Sequence, residues 1–292
     1  MTLNCRGRLI DLSTPRIMGI LNSTPDSFYA GSRIPGIDEA LTRAEAMLRD
    51  GATFLDIGGY STRPGAAEVA EEEEVRRVAP LVEALAAAFP EALLSIDTFR
   101  SRVARVALEA GAALVNDISA GLRDPEMLPL IAKRRVPYIM MHMRGTPADM
   151  AQQTEYGDLV GEILFYLSER LAAARALGIA DIIADPGFGF AKTREQNFAL
   201  LGGLRGFGVL EVPLLVGISR KSMVWKTLGI EPSQALNGTT ALHMLALQGG
   251  AGILRVHDVK EASECIRLWQ EIPPMGTPGS LNFSTFTKSR AD

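Results

Sequence analysis

Eight residues or short groups in this chain share one position, the end of a strand-length apolar run. They are Asn22, Asp56 with the GGYSTRPG stretch behind it, Asp97, Asn116-Asp117, His142, Asp185, Ser219-Arg220-Lys221, and Arg255 followed by His257-Asp258. A single Asp or Asn at such a place is an ordinary cap or turn former. The whole set gains chemical sense if a closed barrel aims it at one mouth, because barrel sites are built from the C-terminal ends of strands. Asp97, Asn116 and Asp185 would then offer acceptors plus one amide donor, which suits the hydrogen-bonding edge of a planar 2-amino-4-oxo heterocycle. Lys221 and Arg255 add donors and positive charge, and a guanidinium can also stack on an aromatic face. Asn22, Thr62, Arg63, Arg255 and His257 form a second group able to cradle a phosphate or diphosphate, with Gly58-Gly59 and Pro64-Gly65 shaping the loop.

These residues need elements to hold them. Apolar runs at 16–21, 53–57, 93–96, 113–115, 136–141, 181–184, 214–218 and 252–256 are strand-length, and most lack the alternation of a half-solvated strand, so they read as buried parallel strands. Helical patterns at 37–50, 71–89, 101–110, 125–134, 155–177, 194–201, 233–248 and 260–269 alternate with them. In the second of these, Val75, Val78, Ala79, Val82 and Leu85 recur at helical spacing and supply one apolar face. Gly51, Gly111, Gly178 and Gly250 each stand between a helix and a strand, where glycine can end the helix in the left-handed conformation. This punctuation favours a single α/β domain, a (β/α)8 TIM barrel over residues 1–272, with a doubly wound open sheet as the alternative. The first residues, including Leu9 to Leu12, predict a short hairpin that plugs the barrel bottom, and residues 273–292, rich in Pro, Gly, Ser and Thr, predict a mobile tail.

Composition agrees. A chain of 292 residues admits one barrel or two small domains. Hydrophobic residues at 47% and charged residues at 22% are enough for a sizeable core and argue against general disorder. Thirty Lys+Arg against 34 Asp+Glu leave a net charge of −4, without the basic stripe that a nucleic-acid partner would need. No apolar run reaches the ~18 residues of a membrane span, and Arg6, Arg8 and Asp11 interrupt any signal core. Cys5 and Cys265 make neither a disulfide framework nor a metal motif, so the expectation is a cytoplasmic protein with reduced thiols and no membrane partner.

Some charged residues have plainer readings. The run Glu71–Glu74 reads as a solvated first helical turn favoured by the helix dipole, and Lys133-Arg134-Arg135 as its basic counterpart at a helix end. His243 lies in an apolar helical context and reads as a packed or surface residue. His142, with no second ligand at metal spacing, reads as structural.

The motifs themselves are identifiable. IMGILNSTPDSF (17–28), DIGGYSTRPGA (56–66), SIDT (95–98), VNDI (115–118), MHMRG (141–145), DPGFGFAKT (185–193), SRKS (219–222) and RVHDV (255–259) resemble, in order, the dihydropteroate synthases of folate synthesis. The resemblance implies a (β/α)8 barrel that joins 6-hydroxymethyl-7,8-dihydropterin diphosphate to 4-aminobenzoate, giving 7,8-dihydropteroate and diphosphate. It implies that Asp97, Asn116, Met141, Asp185, Lys221 and Arg255 bind the pterin. Asn22, Thr62, Arg63, Arg255 and His257 would meet the diphosphate, with Asn22 as a Mg²⁺ ligand. Phe28, Pro64, Phe190, Lys221 and Ser222 would form the aminobenzoate side. By the same resemblance Asn22, Arg63, Lys221, Arg255 and His257 carry catalysis, sulfonamides target the amine side, and the protein is a homodimer.

The chain departs from the family pattern in places. Ser23 and Tyr29 to Ser32 replace the usual first-loop residues, so Ala30 lacks a carboxylate often found there. Tyr60 stands where Glu is usual, Phe188 and Ala191 where a smaller aliphatic and Gly are common, and Ile218 replaces a frequent Thr. A pterin-binding protein with reduced or no synthase activity and a pterin-dependent methyltransferase are therefore the competing functions. The SRKS lysine and the STRPG loop favour the synthase over the methyltransferase.

Overall fold

The computed structural model of the chain describes residues 1–22, 36–60 and 69–273, apart from the Asn22 side chain. A hairpin of β1 (Thr2–Cys5) and β2 (Arg8–Asp11) comes first. Eight strands follow, β3 (Arg16–Asn22), β4 (Phe54–Gly58), β5 (Leu93–Asp97), β6 (Leu114–Asp117), β7 (Tyr138–Met141), β8 (Ile182–Asp185), β9 (Leu214–Val216) and β10 (Ala251–Val256). All are parallel, and they pair in chain order until β10 closes on β3. That closure excludes the open-sheet alternative.

The strand period of two residues sorts the barrel interior into layers. The lowest takes one residue from every strand: Met18, Phe54, Leu93, Leu114, Ile139, Ile183, Leu215 and Ile253 pack together. Leu3, Cys5 and Ile10 of the hairpin belong to the same cluster, so the hairpin is the barrel floor that its sequence predicts. Two residues further along each strand come Ile20, Asp56, Ser95, Asn116, Met141, Asp185, Gly217 and Arg255. Five of these are polar, and a layer that would otherwise be aliphatic becomes a polar chamber on an apolar base. The opposite faces of the strands, including Ile17, Leu21, Leu55, Ile57, Leu94 and Ile96, carry the larger core shared with the helices.

Among the described residues nine helices surround the barrel: α1 (Ile37–Arg49), α2 (Glu71–Ala88), α3 (Ser101–Ala110), α4 (Met127–Arg134), α5 (Leu159–Ala176), α6 (Arg194–Gly202), α7 (Ser222–Leu228), α8 (Leu236–Gln248) and α9 (Val259–Gln270). The glycines at 51, 111, 178 and 250 all have positive φ, as their place between helix and strand predicts. Helix α7 is the element the periodicity did not announce, because seven residues are too few to display a helical stripe. Helix α5 starts at Leu159 and not at 155, since the Asp158 side chain accepts the Gly161 N–H and fixes the first turn there. Strand β7 starts after Pro137, which has no N–H to give a neighbour.

One expectation is overturned. Glu74 is not part of a solvated turn but fully buried, accepting from Thr98 Oγ1 at 2.7 Å and Arg100 Nη1 at 2.6 Å. The reason is helical geometry: residue 74 shares the inward face of α2 with Val78, Leu81, Val82 and Leu85. No helix among the described residues is long and apolar enough to cross a membrane.

Candidate active site at the barrel mouth

Arg255 holds the polar layer together. Its Nε donates to Asp56 Oδ2 and its Nη2 to Asp97 Oδ2, both at 2.6 Å, across 199 and 158 residues of chain. Asn116 Nδ2 donates to the same Asp56 oxygen at 3.0 Å. Burial works against the Arg255 cation, but Asp56 and Asp97 outweigh it and hold its pKa above the ordinary guanidinium value. Asp97, Asn116 and Arg255 are therefore in one constellation, as the sequence predicts. Asp56 belongs to it as well, as its place in the strand-end set predicts. The period of two counted from Phe54 is the signal that points it inward. Asp56 Oδ1 and the Oγ of Ser95, its register partner on β5, are buried without a partner among the described residues. A chamber with unspent polar atoms is one that a polar ligand completes.

Asp185 closes the other side. Its Oδ1 accepts the Gly187 N–H at 2.8 Å, and burial raises its pKa, with Lys221 opposing. Lys221 is pushed down to about 8, mainly by burial, while Asp185 draws it up. Its Nζ donates to the Phe188 carbonyl and lies 4.9 Å from the centre of the Phe190 ring. Met141 is buried in an apolar wall with Phe99, Ile118, Met143, Met150 and Ala191, against which Tyr60 and Phe190 pack. Tyr60 meets Phe99 edge-on at 5.5 Å, and Arg100 lies 5.6 Å from its centroid, so this position contributes an aromatic wall in place of a carboxylate.

His257 is tied to the end of β9. Its backbone N–H donates to Ser219 Oγ at 3.1 Å, and its Nδ1 lies 3.1 Å from the same oxygen. The next pair along, Arg220 and Asp258, is bidentate at 2.8 Å for both bonds. These two rungs bind the loop carrying Lys221 to the strand carrying Arg255. Ser222 is exposed at the first turn of α7. Phe28, Thr62, Arg63 and Pro64 lie outside the described residues, as do Ala30 and its neighbours. Of Asn22 the backbone ends β3 at the mouth.

His142 and Lys192 make a second buried pair. Lys192 Nζ lies 3.1 Å from His142 Nδ1 and donates to the carbonyls of Gly187 at 2.9 Å and Phe190 at 3.0 Å. Burial takes Lys192 down to about 7 and His142 to about 2, so the ring is neutral. His142 is buried and 2% exposed. Lys192 had no signal in the sequence beyond its place in a motif. His243 is packed, only 1% exposed. No group of three or more His, Cys, Asp or Glu able to hold a metal occurs among the described residues.

The charge in the chamber has a measurable consequence. Burial raises Asp97 to about 7, against the pull of Arg255, from an ordinary 3.8. The folded protein thus keeps a proton that the unfolded chain releases, so this group's contribution is complete at acid pH and is lost as pH rises through about 7. Between about pH 5 and pH 7.5 the native protein should lose on the order of 2–3 kcal/mol more stability than Asp97→Asn. Urea unfolding of both proteins at the two pH values measures it, and parallel losses would contradict the raised pKa.

Comparison with known proteins agrees with the geometry. Residues 18–257 match the family model described as pterin binding enzyme. The dihydropteroate synthase of Escherichia coli K12 is 44% identical over 270 residues, covering 92% of this chain and 95% of its own. The crystal structure of the Yersinia pestis dihydropteroate synthase with a sulfonamide drug complex superposes with a TM-score of 0.87 at 46% identity, covering 92% of this chain and 98% of that one. The Xanthomonas albilineans dihydropteroate synthase in complex with 7,8-dihydropteroate gives 0.83 at 39% identity, over 94% and 100% of the two chains. With its barrel closed, its polar layer assembled and these relatives 39–46% identical over more than nine-tenths of its length, the chain belongs to the dihydropteroate synthase family.

Proposed function

We propose that this enzyme condenses 6-hydroxymethyl-7,8-dihydropterin diphosphate with 4-aminobenzoate to give 7,8-dihydropteroate and diphosphate. The observation that carries the reading is the interior layer of Asp56, Asn116, Asp185 and Arg255 with Asp97 above it, a lining of acceptors and donors for a flat heterocycle. Asp185, Asn116 and Asp97 take the amino and ring N–H donors of the pterin, Lys221 its carbonyl side, Met141 its face, and Arg255 packs over the ring from its anchored position. Phe190, Lys221 and Ser222, with Phe28 and Pro64, take the aminobenzoate. Asn22, Thr62, Arg63, Arg255 and His257 take the diphosphate.

In the reaction the aromatic amine nitrogen attacks the pterin methylene carbon. The C–O bond to diphosphate breaks with its electron pair on the leaving oxygen, and the nitrogen gives up one proton. The amine is neutral near pH 7 and needs no strong base, so departure of diphosphate is the difficult event. Cations at the mouth stabilise the developing negative charge, and the electron-rich pterin stabilises positive charge on the methylene, which makes the displacement dissociative. The described residues form no cage for a metal. Asn22 is the residue that would hold Mg²⁺, an ion that habitually binds through phosphates and retained water and so suits a diphosphate substrate. When bound it offsets the charge of the leaving group.

Homodimerisation, implied by resemblance, has physical support in Leu228, Leu245 and Leu268, which stand exposed on the adjacent helices α7, α8 and α9. The absence of a membrane-crossing helix among the described residues and the soluble substrates agree with a cytoplasmic place of action.

Purified protein given both substrates and Mg²⁺ should release diphosphate, with a large secondary isotope effect at the methylene and competition by a sulfonamide against the amine. Tight pterin binding without release would mean a binding protein instead. Asp185→Asn, which turns one acceptor into a donor, should weaken pterin binding by at least about tenfold in calorimetry, the worth of a mispaired buried polar group. Light scattering should return twice the 31.4 kDa chain mass, and a monomer at micromolar concentration would remove the dimer.

A further inference from the structure

Lys192 is 9% exposed and lies in the loop that joins β8 to α6. Its Nζ is fully engaged by the Gly187 and Phe190 carbonyls and His142 Nδ1, so it does not present itself to a substrate. Two of the three partners are backbone atoms that flank Phe188, whose carbonyl receives Lys221, and one of them belongs to Phe190, whose ring Lys221 faces. A buried amino group costs free energy that an aliphatic side chain of equal length would not, unless its donors are needed where they are.

The rest of the loop is gripped from other sides. Gly189 N–H donates to Asn197 Oδ1 on α6 at 2.6 Å, and Tyr156 Oη donates to the Ala191 carbonyl at 2.9 Å. Gly187 has φ +75, and a Cβ there would come within 2.0 Å of the His142 carbonyl oxygen, so the loop crosses directly over the end of β7. Ala191 takes φ +49, a conformation that costs a non-glycine residue roughly 1 kcal/mol. A strained loop needs fastening, and Lys192 supplies the fastening from inside.

We infer that Lys192 is a positioning residue for the amine subsite: seated on His142, it sets the backbone that presents the Phe188 carbonyl and the Phe190 ring to Lys221. His142, at the end of β7, gives that amino group a rigid third partner, held edge-on against Tyr166 at 4.9 Å between ring centres. The assignment rests on the reading of Phe190 and Lys221 as the aminobenzoate side. It goes beyond that reading in naming what fixes their relation.

Lys192→Met should raise KM for 4-aminobenzoate by about tenfold, the penalty of a sub-ångström to ångström misplacement. The dissociation constant of the pterin diphosphate, measured by calorimetry without amine, should stay within about threefold, because Asp97, Asn116, Met141, Asp185 and Arg255 are held on strands and Lys221 alone of the pterin groups meets this loop. His142→Leu should shift the amine KM in the same direction. His142→Asn, whose Oδ1 takes the place of Nδ1, should restore it, which a merely structural role would not require. Unchanged amine KM in Lys192→Met, or equal losses of amine and pterin affinity in the variants, overturns the assignment. If Lys192→Met fails to fold, the His142→Leu and His142→Asn pair decides it by the same criterion. Absence of turnover by the native protein would overturn the synthase reading and the assignment with it, whereas native turnover with unshifted variants overturns the assignment alone.

Discussion

A single guanidinium inside the barrel connects Asp56 on β4 and Asp97 on β5 to β10. Two carboxylates and one cation cannot balance, and low dielectric surroundings make every unmatched charge expensive. Removing one partner of such a buried pair costs on the order of 3–5 kcal/mol, because the other is left alone. The constraint explains why neighbouring positions are what they are. Asn116 gives Asp56 a second donor, Lys221 stands opposite Asp185, and Asp97 rises toward neutrality. The chamber is poised to accept a ligand that brings donors for its carboxylates, and the apolar layer beneath it, sealed by the hairpin, keeps water from entering below.

Strands and loops divide the work. Asp97, Asn116, Met141, Asp185 and Arg255, proposed to read the flat heterocycle, sit on β5, β6, β7, β8 and β10, where the parallel ladder fixes them to within small displacements. Phe190 and Lys221, proposed for the smaller substrate, sit on segments between strands and helices, and these need fastening of their own. Ser219 with His257 and Arg220 with Asp258 fasten one segment, and Lys192, Asn197 and Tyr156 fasten another. The strand-borne polar layer is thus rigid by architecture, while the segments carrying Phe190 and Lys221 are rigid by side-chain bonding.

Where the chain departs from its family's usual residues, the structure gives two of the changes a physical content. Tyr60 joins Phe99, with Arg100 near both rings, and extends the apolar wall in which Met141 lies. Ala191 accepts a left-handed backbone that glycine would adopt without strain, which stiffens the loop on which Phe190 stands. Neither change replaces Asp97, Asn116, Asp185, Lys221 or Arg255.

Much of this was legible in one dimension. Apolar runs and helix-ending glycines identify an eightfold alternation, and polar residues at the run ends identify the mouth, because periodicity and turn chemistry are local properties of the backbone. The motif series names the family for the same reason. Only the tertiary structure decided that Asp56 binds Arg255, that Glu74 is buried beside Thr98 and Arg100, that Lys192 rests on His142, and that seven residues after Lys221 make a helix. Each of the three pairings joins residues far apart in the chain, and α7 is too short to carry a stripe. Whether a carboxylate is solvated or buried depends on which strand, helix or loop closes over it, and closure of the barrel is the event that brings β10 beside β3 and carries Arg255 to its partners.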